Sequence, residues 1–437
     1  MLTATDGSLR TLPTSALRKG LRRLVSATTS VALVDQALVS GANFATNILI
    51  ARTLSVHNYG VFTLAWMAVL FANSLQYALV IIPMASVGPK QDVNERPSYF
   101  GTVLLHEAIF ACFAALAMLT AVVLSARHFP QLAVGNVALP LSVATFAYLG
   151  QDFIRRYFFC IGENKWALLS DGISYLSQLP ILFGLSRCRE LTVSSTLWVI
   201  AVTSFLGIGF MVKRYGPVCF DVQSLRDVSL KHWRISRWLV SSAFMQWGAG
   251  NLFVVAAPIY LGAAASAVLR ASQNIVAVAH VWFLGLDNVV PAQAATQLRC
   301  NGVDGMLRYI KSVSVLWGSI TFFFTGLIAL FPDFLLGLAY GSKYAFDGYV
   351  LRLYALLYLV TFFAGPLRAG LQALECTSAI FWAYPFMIAF SVALAGPFAQ
   401  KLGLKGVMLG LCGTQLISQS VIGTAFLAKV RWIRRER

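Results

Sequence analysis

Eight stretches of this 437-residue chain run for 19 residues or more without one Asp, Glu, Lys or Arg. They cover 53–89, 108–126, 129–151, 191–212, 238–269, 312–332, 377–400 and 406–428. A helix of about 20 apolar residues crosses the hydrocarbon of a bilayer, so each run is long enough to span or close to it. Two are too long for one helix and must contain a turn. The first is expected to start its helix near Tyr59, and the second to end near Pro258 and Gly262, where proline and glycine break helices. Four shorter runs, 36–51, 172–186, 271–286 and 353–367, are bounded by charge at both ends. The chain is 58% hydrophobic and only 12% charged, about half the charge of a soluble domain. In that company the short runs read as membrane helices with charges near their ends. Twelve spans are expected, at 31–53, 59–86, 100–125, 133–153, 166–186, 191–212, 236–259, 267–293, 310–332, 349–370, 377–398 and 405–428. The fold class is therefore all-α and polytopic. Little chain is left over for an extramembrane domain, which excludes a soluble multidomain enzyme.

The charge that remains is lopsided, with 34 Lys+Arg against 17 Asp+Glu. With the N-terminus in the cytoplasm, 25 basic residues fall on the inner side and 9 on the outer side. The positive-inside rule then places both termini in the cytoplasm. No basic segment is long enough to make a nucleic-acid surface, so no nucleic-acid partner is expected. Residues 1–30 read as a basic cytoplasmic segment with Leu17, Leu21 and Leu24 on one face of an interfacial helix. A signal peptide fits less well, because Thr28, Thr29, Ser30 and then Asp35 interrupt the apolar run. The domain plan is an N-lobe at 31–212, a basic cytoplasmic linker at 213–235, a C-lobe at 236–428 and a basic cytoplasmic tail at 429–437. Six spans on each side of the linker suit a parallel repeat. Gly41-Ala-Asn43 with Asn47, and Gly248-Ala-Gly-Asn251, echo one another early in each half.

No catalytic set emerges. The seven cysteines are odd in number and scattered, with no CxxC, which gives neither a disulfide framework nor a metal site. The five histidines lie in no HExxH, and neither GxxxxGK[ST] nor GxGxxG occurs. No cofactor is expected, and an ATP-driven pump would need its motor from a second chain.

Polar groups at membrane depth are the informative residues, because an ionisable side chain there costs about 2.5–3.5 kcal/mol on insertion scales and normally faces the bundle interior. Asp35, Glu107, Asp171, Arg270, Asp287 and Glu375 qualify, with the amides Asn47, Gln76, Gln246, Asn251, Gln273 and Asn274. Each can equally cap a helix, snorkel or bond a neighbouring helix. Arg270, Gln273 and Asn274 share one helical face. A guanidinium forks onto phosphate oxygens and amides pair with sugar hydroxyls in both directions, so that stripe suits an anionic, hydroxyl-rich ligand. The plainer reading of Arg270 is an interfacial charge. Asp287, near the other end of the same helix, reads as an ion-pair partner, a coupling carboxylate or a helix-end charge. The tryptophans in or near spans read mainly as belt residues.

The stretches Asp35-Gln-Ala-Leu-Val-Ser-Gly-Ala-Asn43, Asn47-Ile-Leu-Ile-Ala-Arg52 and Asn58-Tyr-Gly-Val-Phe62 resemble the opening of polysaccharide biosynthesis proteins. These are the lipid-linked oligosaccharide flippases of the multidrug, oligosaccharidyl-lipid and polysaccharide exporter superfamily. Gln151-Asp-Phe-Ile-Arg-Arg156 and Leu269-Arg-Ala-Ser-Gln-Asn274 are similar to further family features. The resemblance implies two six-helix lobes around a central cleft. It also implies a flippase that moves a polyprenyl-diphosphate-linked oligosaccharide from the inner to the outer leaflet of the bacterial inner membrane. A polysaccharide polymerase and export machinery are the implied protein partners. By position, Asn43, Asn47, Gln76, Gln246, Asn251, Arg270, Gln273 and Asn274 would meet the substrate, with Asp35 and Asp287 as possible coupling groups. The alternative is a cation-coupled exporter of drugs or small amphiphiles on the same two-lobe fold, whose cleft should carry more acidic than basic residues.

Overall fold

The computed structural model describes residues 27–128, 135–376 and 378–435. The expected interfacial helix around Leu17, Leu21 and Leu24 lies outside the described residues, as does the 1–30 segment up to residue 26. All described elements are helical. We label the long ones α1 (Ala27–Thr53), α2 (Val56–Lys90), α3 (Arg96–His128), α4 (Ala138–Cys160), α5 (164–187) and α6 (Val193–Arg214) in the first half. The second half holds α7 (Val222–Leu261), α8 (263–301), α9 (303–330), α10 (Gly348–Ala373), α11 (378–402) and α12 (404–435), plus a short helix Pro332–Tyr340 between α9 and α10.

Seven uninterrupted helical segments among the described residues are long and apolar enough to cross a membrane. Two of these, Ala263–Leu330 and Ser378–Arg435, each contain two helices. They bend at Gly302 (φ 64°) and Gly403 (φ 60°), left-handed conformations that glycine adopts without a Cβ clash. The three helices that fall short of that apolarity are α1, α4 and α5. Each carries part of a buried ionic network described below, which is why hydropathy alone undercounts the bundle. The protein is a multi-pass membrane protein whose described residues form twelve long helices in two six-helix lobes around a central cleft.

Local signals set the helix starts. Ser55 accepts a hydrogen bond from the Asn58 backbone N–H at 3.2 Å and starts α2 at Val56, so the expected start near Tyr59 is three residues late. Thr192 and Ser195 close a reciprocal capping box on α6. Asp221 accepts from the Ser224 N–H at 2.8 Å and starts α7 at Val222. Most of the expected linker 213–235 is therefore the first third of a 40-residue helix. Its charged residues look like a loop in sequence, yet His232 and Ser236 are buried against the first half. Pro83 and Pro180 sit inside α2 and α5, each preceded by a π turn, Tyr77–Ile81 and Gly172–Leu176. A π turn relaxes the hydrogen-bond ladder where proline removes a donor.

One continuous apolar core joins both lobes at the end that carries the α1–α2 loop. At the end that carries residues 27 and 435, each lobe has a separate core. The bundle is thus sealed at the α1–α2 end, while at the terminus end the cores are separate and the start of α7 packs on the first lobe through Val228, His232 and Ile235. Gly60 of α2 packs so tightly on α8 that a Cβ there would run into the Ala263 carbonyl. Arg52 donates to the carbonyls of Leu338 and Ala339, and Lys343 donates to those of Arg52 and Leu54. Tyr59 meets Tyr344 edge-on with centroids 6.4 Å apart.

Candidate functional site

Beneath that seal a cavity of about 420 Å³ lies between the lobes, within the size range of small-ligand sites. From the first lobe α1 contributes Asn47, and α2 contributes Phe62, Thr63 and Trp66. From the second lobe come Trp247 and Asn251 of α7, Arg270, Gln273 and His280 along α8, Tyr354, Tyr358 and Thr361 of α10, and Gln415 of α12. Among the described residues Arg270 is the only Asp, Glu, Lys or Arg in this lining. The guanidinium reaches Gln273 Oε1 at 3.4 Å, so the two side chains form one polar surface. Asn47 Nδ2 donates to the Asn43 carbonyl at 2.8 Å, and its Oδ1 accepts from the Tyr59 hydroxyl at 3.2 Å. That fixes the amide facing the cavity. Phe62 stacks on Trp66, which meets Tyr148 edge-on. These rings form a rigid wall whose flat faces suit the apolar face of a sugar ring.

The sequence-expected residues divide into those that meet here and those that do not. Asn47, Asn251, Arg270 and Gln273 line the cavity. Asn43 lines a small adjoining pocket within the first lobe, shared with Asn47 and Trp66. Asn274 is outside the lining and sits beside Tyr340, at the seal. Gln246 is exposed on α7, where its amide donates to the Tyr384 hydroxyl at 3.3 Å. Gln76 does not reach the cavity. It is fully buried in the first lobe, donating to Glu107 Oε1 at 2.7 Å and to the Leu149 carbonyl at 2.8 Å. Asp287 lines a neighbouring pocket between α8, α9 and α10 with Arg368, and shares His280 and Thr361 with the main cavity. Glu375 falls in the turn between α10 and α11.

Asp35 does not face the cavity either. Its carboxylate is fully buried and accepts from Arg155 Nη2 at 2.7 Å. Arg155 Nε lies 2.8 Å from Asp171 Oδ2, and Gln151 donates to the other Asp171 oxygen at 2.5 Å. Asp152 stands 3.5 Å from Arg156 and 3.8 Å from Arg155, and accepts from Asn73. Three carboxylates therefore surround two guanidiniums in the interior of the first lobe, linking α1, α4 and α5. Buried charges persist only when paired, and each charge here has an ionic partner, with one carboxylate in excess, while Asp35 Oδ1, Asp171 Oδ2 and Arg156 Nε make no hydrogen bond among the described residues. The two π turns follow directly on Gln76 and Asp171, so the distorted backbone lies next to the polar groups.

Trp247, Tyr354, Tyr358, His280, Thr361 and Gln415 are lining residues that sequence reasoning misses. Uncharged side chains within a span look like packing or belt residues until the helices are assembled. Among the described residues no group of three or more His, Cys, Asp and Glu is arranged to hold a metal ion.

No protein-family model matches the chain, and no curated protein matches it. Solved structures do. One is described as an inward-facing conformation of a multidrug resistance MATE family transporter of the MOP superfamily. It is 15% identical, with a TM-score of 0.70 over 90% of this chain and 95% of that one. An outward-facing conformation of a MATE family transporter is 14% identical, with a TM-score of 0.62 over 93% of this chain and 96% of that one. A MOP superfamily transporter from Pyrococcus furiosus, described as having a binding pocket of reverse polarity that suggests a different function, is 16% identical. Its TM-score is 0.61 over 93% of this chain and 96% of that one. The chain therefore has the fold of MATE family transporters of the MOP superfamily.

Proposed function

We propose that this protein is a flippase that carries a polyprenyl-diphosphate-linked oligosaccharide across a bacterial inner membrane by alternating access. The observation that carries this reading is the charge of the cavity: one guanidinium, flanking amides, aromatic walls and no carboxylate. A sugar diphosphate cannot enter hydrocarbon, because each unsatisfied polar group would cost several kcal/mol. A cavity open to water at one end removes that barrier. Arg270 is suited to the diphosphate, Gln273, Asn47 and Asn251 to sugar hydroxyls, and Trp66 and Trp247 to the face of the first ring. The remaining sugars would occupy the open part of the cleft. Rocking of the lobes 31–212 and 236–428 would break the seal around Gly60 and open the site to the other side. Both termini would be cytoplasmic, with a polysaccharide polymerase and export machinery receiving the product.

The second reading is a cation-coupled exporter of small amphiphiles. It is favoured by the multidrug transporters among the similar structures and by the carboxylates around Arg155. The absence of any carboxylate from the cavity lining weighs against cationic cargo. Proteoliposomes loaded with a fluorescent polyprenyl diphosphate sugar separate the two. Protein-dependent translocation is the expected result. Efflux of a cationic dye on an imposed ion gradient, without translocation of the lipid-linked sugar, would establish the second reading instead.

A further inference from the structure

Past His280 and Thr361 the main cavity adjoins a second pocket of about 180 Å³ between α8, α9 and α10. It is smaller than a drug-sized site and suits one sugar ring. Two opposite charges share it, Asp287 of α8 and Arg368 of α10. A Cβ at Gly365 would stand 3.8 Å from Asp287 Oδ1, so the carboxylate lies against α10 about one helical turn before Arg368. Ionisable groups at membrane depth normally pair with one another, and in the first lobe they do. Here they do not: among the described residues neither Asp287 nor Arg368 makes an ion pair or a side-chain hydrogen bond. Two prolines add acceptors. Pro291 lies inside α8 and Pro366 inside α10, and a proline has no N–H for the carbonyl four residues before it. Those carbonyls belong to Asp287 and Phe362, both lining residues. Phe283 and Phe362, with ring centroids 5.8 Å apart, supply flat apolar faces.

A guanidinium grips a carboxylate in a bidentate fork. A carboxylate and bare carbonyls only accept, which suits hydroxyl donors. One sugar ring that carries both a carboxylate and hydroxyls is a uronic acid. A bare cation fits less well, because Arg368 in the same pocket would repel it. At 1.5 Å per residue, Asp287 lies about 25 Å along α8 from Arg270. A diphosphate held at Arg270 therefore leaves this pocket to a sugar well along the chain. We infer that the pocket is a specificity subsite for an acidic sugar of the cargo, with the sugar carboxylate on Arg368 and its hydroxyls on Asp287. The assignment rests on the lipid-linked oligosaccharide proposed above and narrows it to chains with a uronic acid several rings from the diphosphate.

The test uses the full-length protein in proteoliposomes at zero membrane potential, so that extra charge on a cargo does no electrical work. Two fluorescent polyprenyl diphosphate oligosaccharides are compared, identical except that the distal sugar is glucuronate in one and glucose in the other. At limiting cargo the wild type should move the glucuronate chain about tenfold faster. Arg368→Gln should bring that ratio to about one, and Arg368→Lys should recover part of it. A third chain, whose distal glucuronate has methylated hydroxyls, should lose most of the advantage, because a methyl ether cannot donate to Asp287 or the two carbonyls. Soluble glucuronate-terminated oligosaccharide should inhibit the wild type at about a tenth of the concentration needed with the glucose-terminated one, a readout that stands should the variants misfold. Equal rates for the glucuronate and glucose chains in the wild type, or a preference that survives in Arg368→Gln, would overturn the subsite and leave the cargo intact. Movement of none of the chains would overturn the cargo, and the subsite with it.

Discussion

At the scale of single residues, two arginines at membrane depth have opposite surroundings. Arg270 lines a cavity with no carboxylate partner, so its charge is available to a ligand. A hydrogen bond to a charged group contributes about 1.5–3 kcal/mol, so Arg270→Ala should weaken binding of a polyprenyl diphosphate by about 10- to 150-fold. Thermal unfolding in detergent should barely change, and Arg270→Lys should recover part of the binding but not the bidentate geometry. Equal binding by the wild type and Arg270→Ala in a direct titration would remove Arg270 from the site. Arg155, in contrast, is spent on Asp35 and Asp171. Removing one member of a buried pair costs about 3–5 kcal/mol because the other charge is stranded. Arg155→Ala should therefore lower the thermal midpoint markedly. The combination of Arg155→Met with Asp35→Asn should recover part of the loss, since it removes a stranded charge along with the guanidinium. A double variant no more stable than Arg155→Ala would show that Asp35 and Arg155 are not coupled. The sequence marks Asp35 and Asp171 as unusual by depth alone. It cannot pair Asp35 with Arg155, because 120 residues separate them, and neither periodicity nor spacing reports a contact at that range. That Arg270 and Gln273 share a face was legible because both lie on one turn of one helix. The aromatic walls were not, because they come from three other helices.

At the scale of elements, charge-free runs located the helices well, since a span must exclude charge and its ends can carry it. They failed where a helix leaves that rule. The start of α7 carries Arg226, Lys231, Arg234 and Arg237 on a surface-facing stripe and reads as a linker. The opposite face buries His232, which meets the Tyr99 hydroxyl at 3.0 Å, and Ser236, which donates to the Leu79 carbonyl. The α2–α8 crossing was likewise invisible, because a lone glycine in a span has many readings. Its role follows from the contact: any side chain at Gly60 meets the Ala263 backbone, which cannot give way as a flexible side chain does. Gly60→Val should keep the two lobes folded while preventing the seal from closing. Paired spin labels on α1 and on the 332–340 helix should then report a longer mean separation, and translocation should fall well below half of wild type. Distances identical to wild type would show that the crossing is not a gate.

At the scale of the whole molecule, the decisive feature is that the lobes share a core at one end and have separate cores at the other. Closure therefore rests on a limited joint: the Gly60 crossing, the Arg52 and Lys343 bonds to backbone carbonyls, and the Tyr59–Tyr344 contact. On the proposed alternating access, such a joint would exchange for an equivalent one at the terminus end without unfolding either lobe. What drives the exchange follows from the charges that move. The cavity presents one positive charge, and the carboxylates of the first lobe are largely held by arginines within it. An anionic cargo moving outward across an inside-negative membrane gains about 2.3 kcal/mol per elementary charge per 100 mV. A diphosphate leaving with net negative charge is therefore favoured by the potential itself. In vesicles oriented with the termini inside, an inside-negative potassium diffusion potential of about 100 mV should accelerate outward flipping several-fold, and reversing its sign should slow it. Sodium and proton gradients are clamped at zero throughout, so that only the potential varies. A rate indifferent to the potential in that assay, but raised in a second assay when either gradient is imposed at zero potential, would assign the work to the carboxylates around Arg155 rather than to the charge of the cargo.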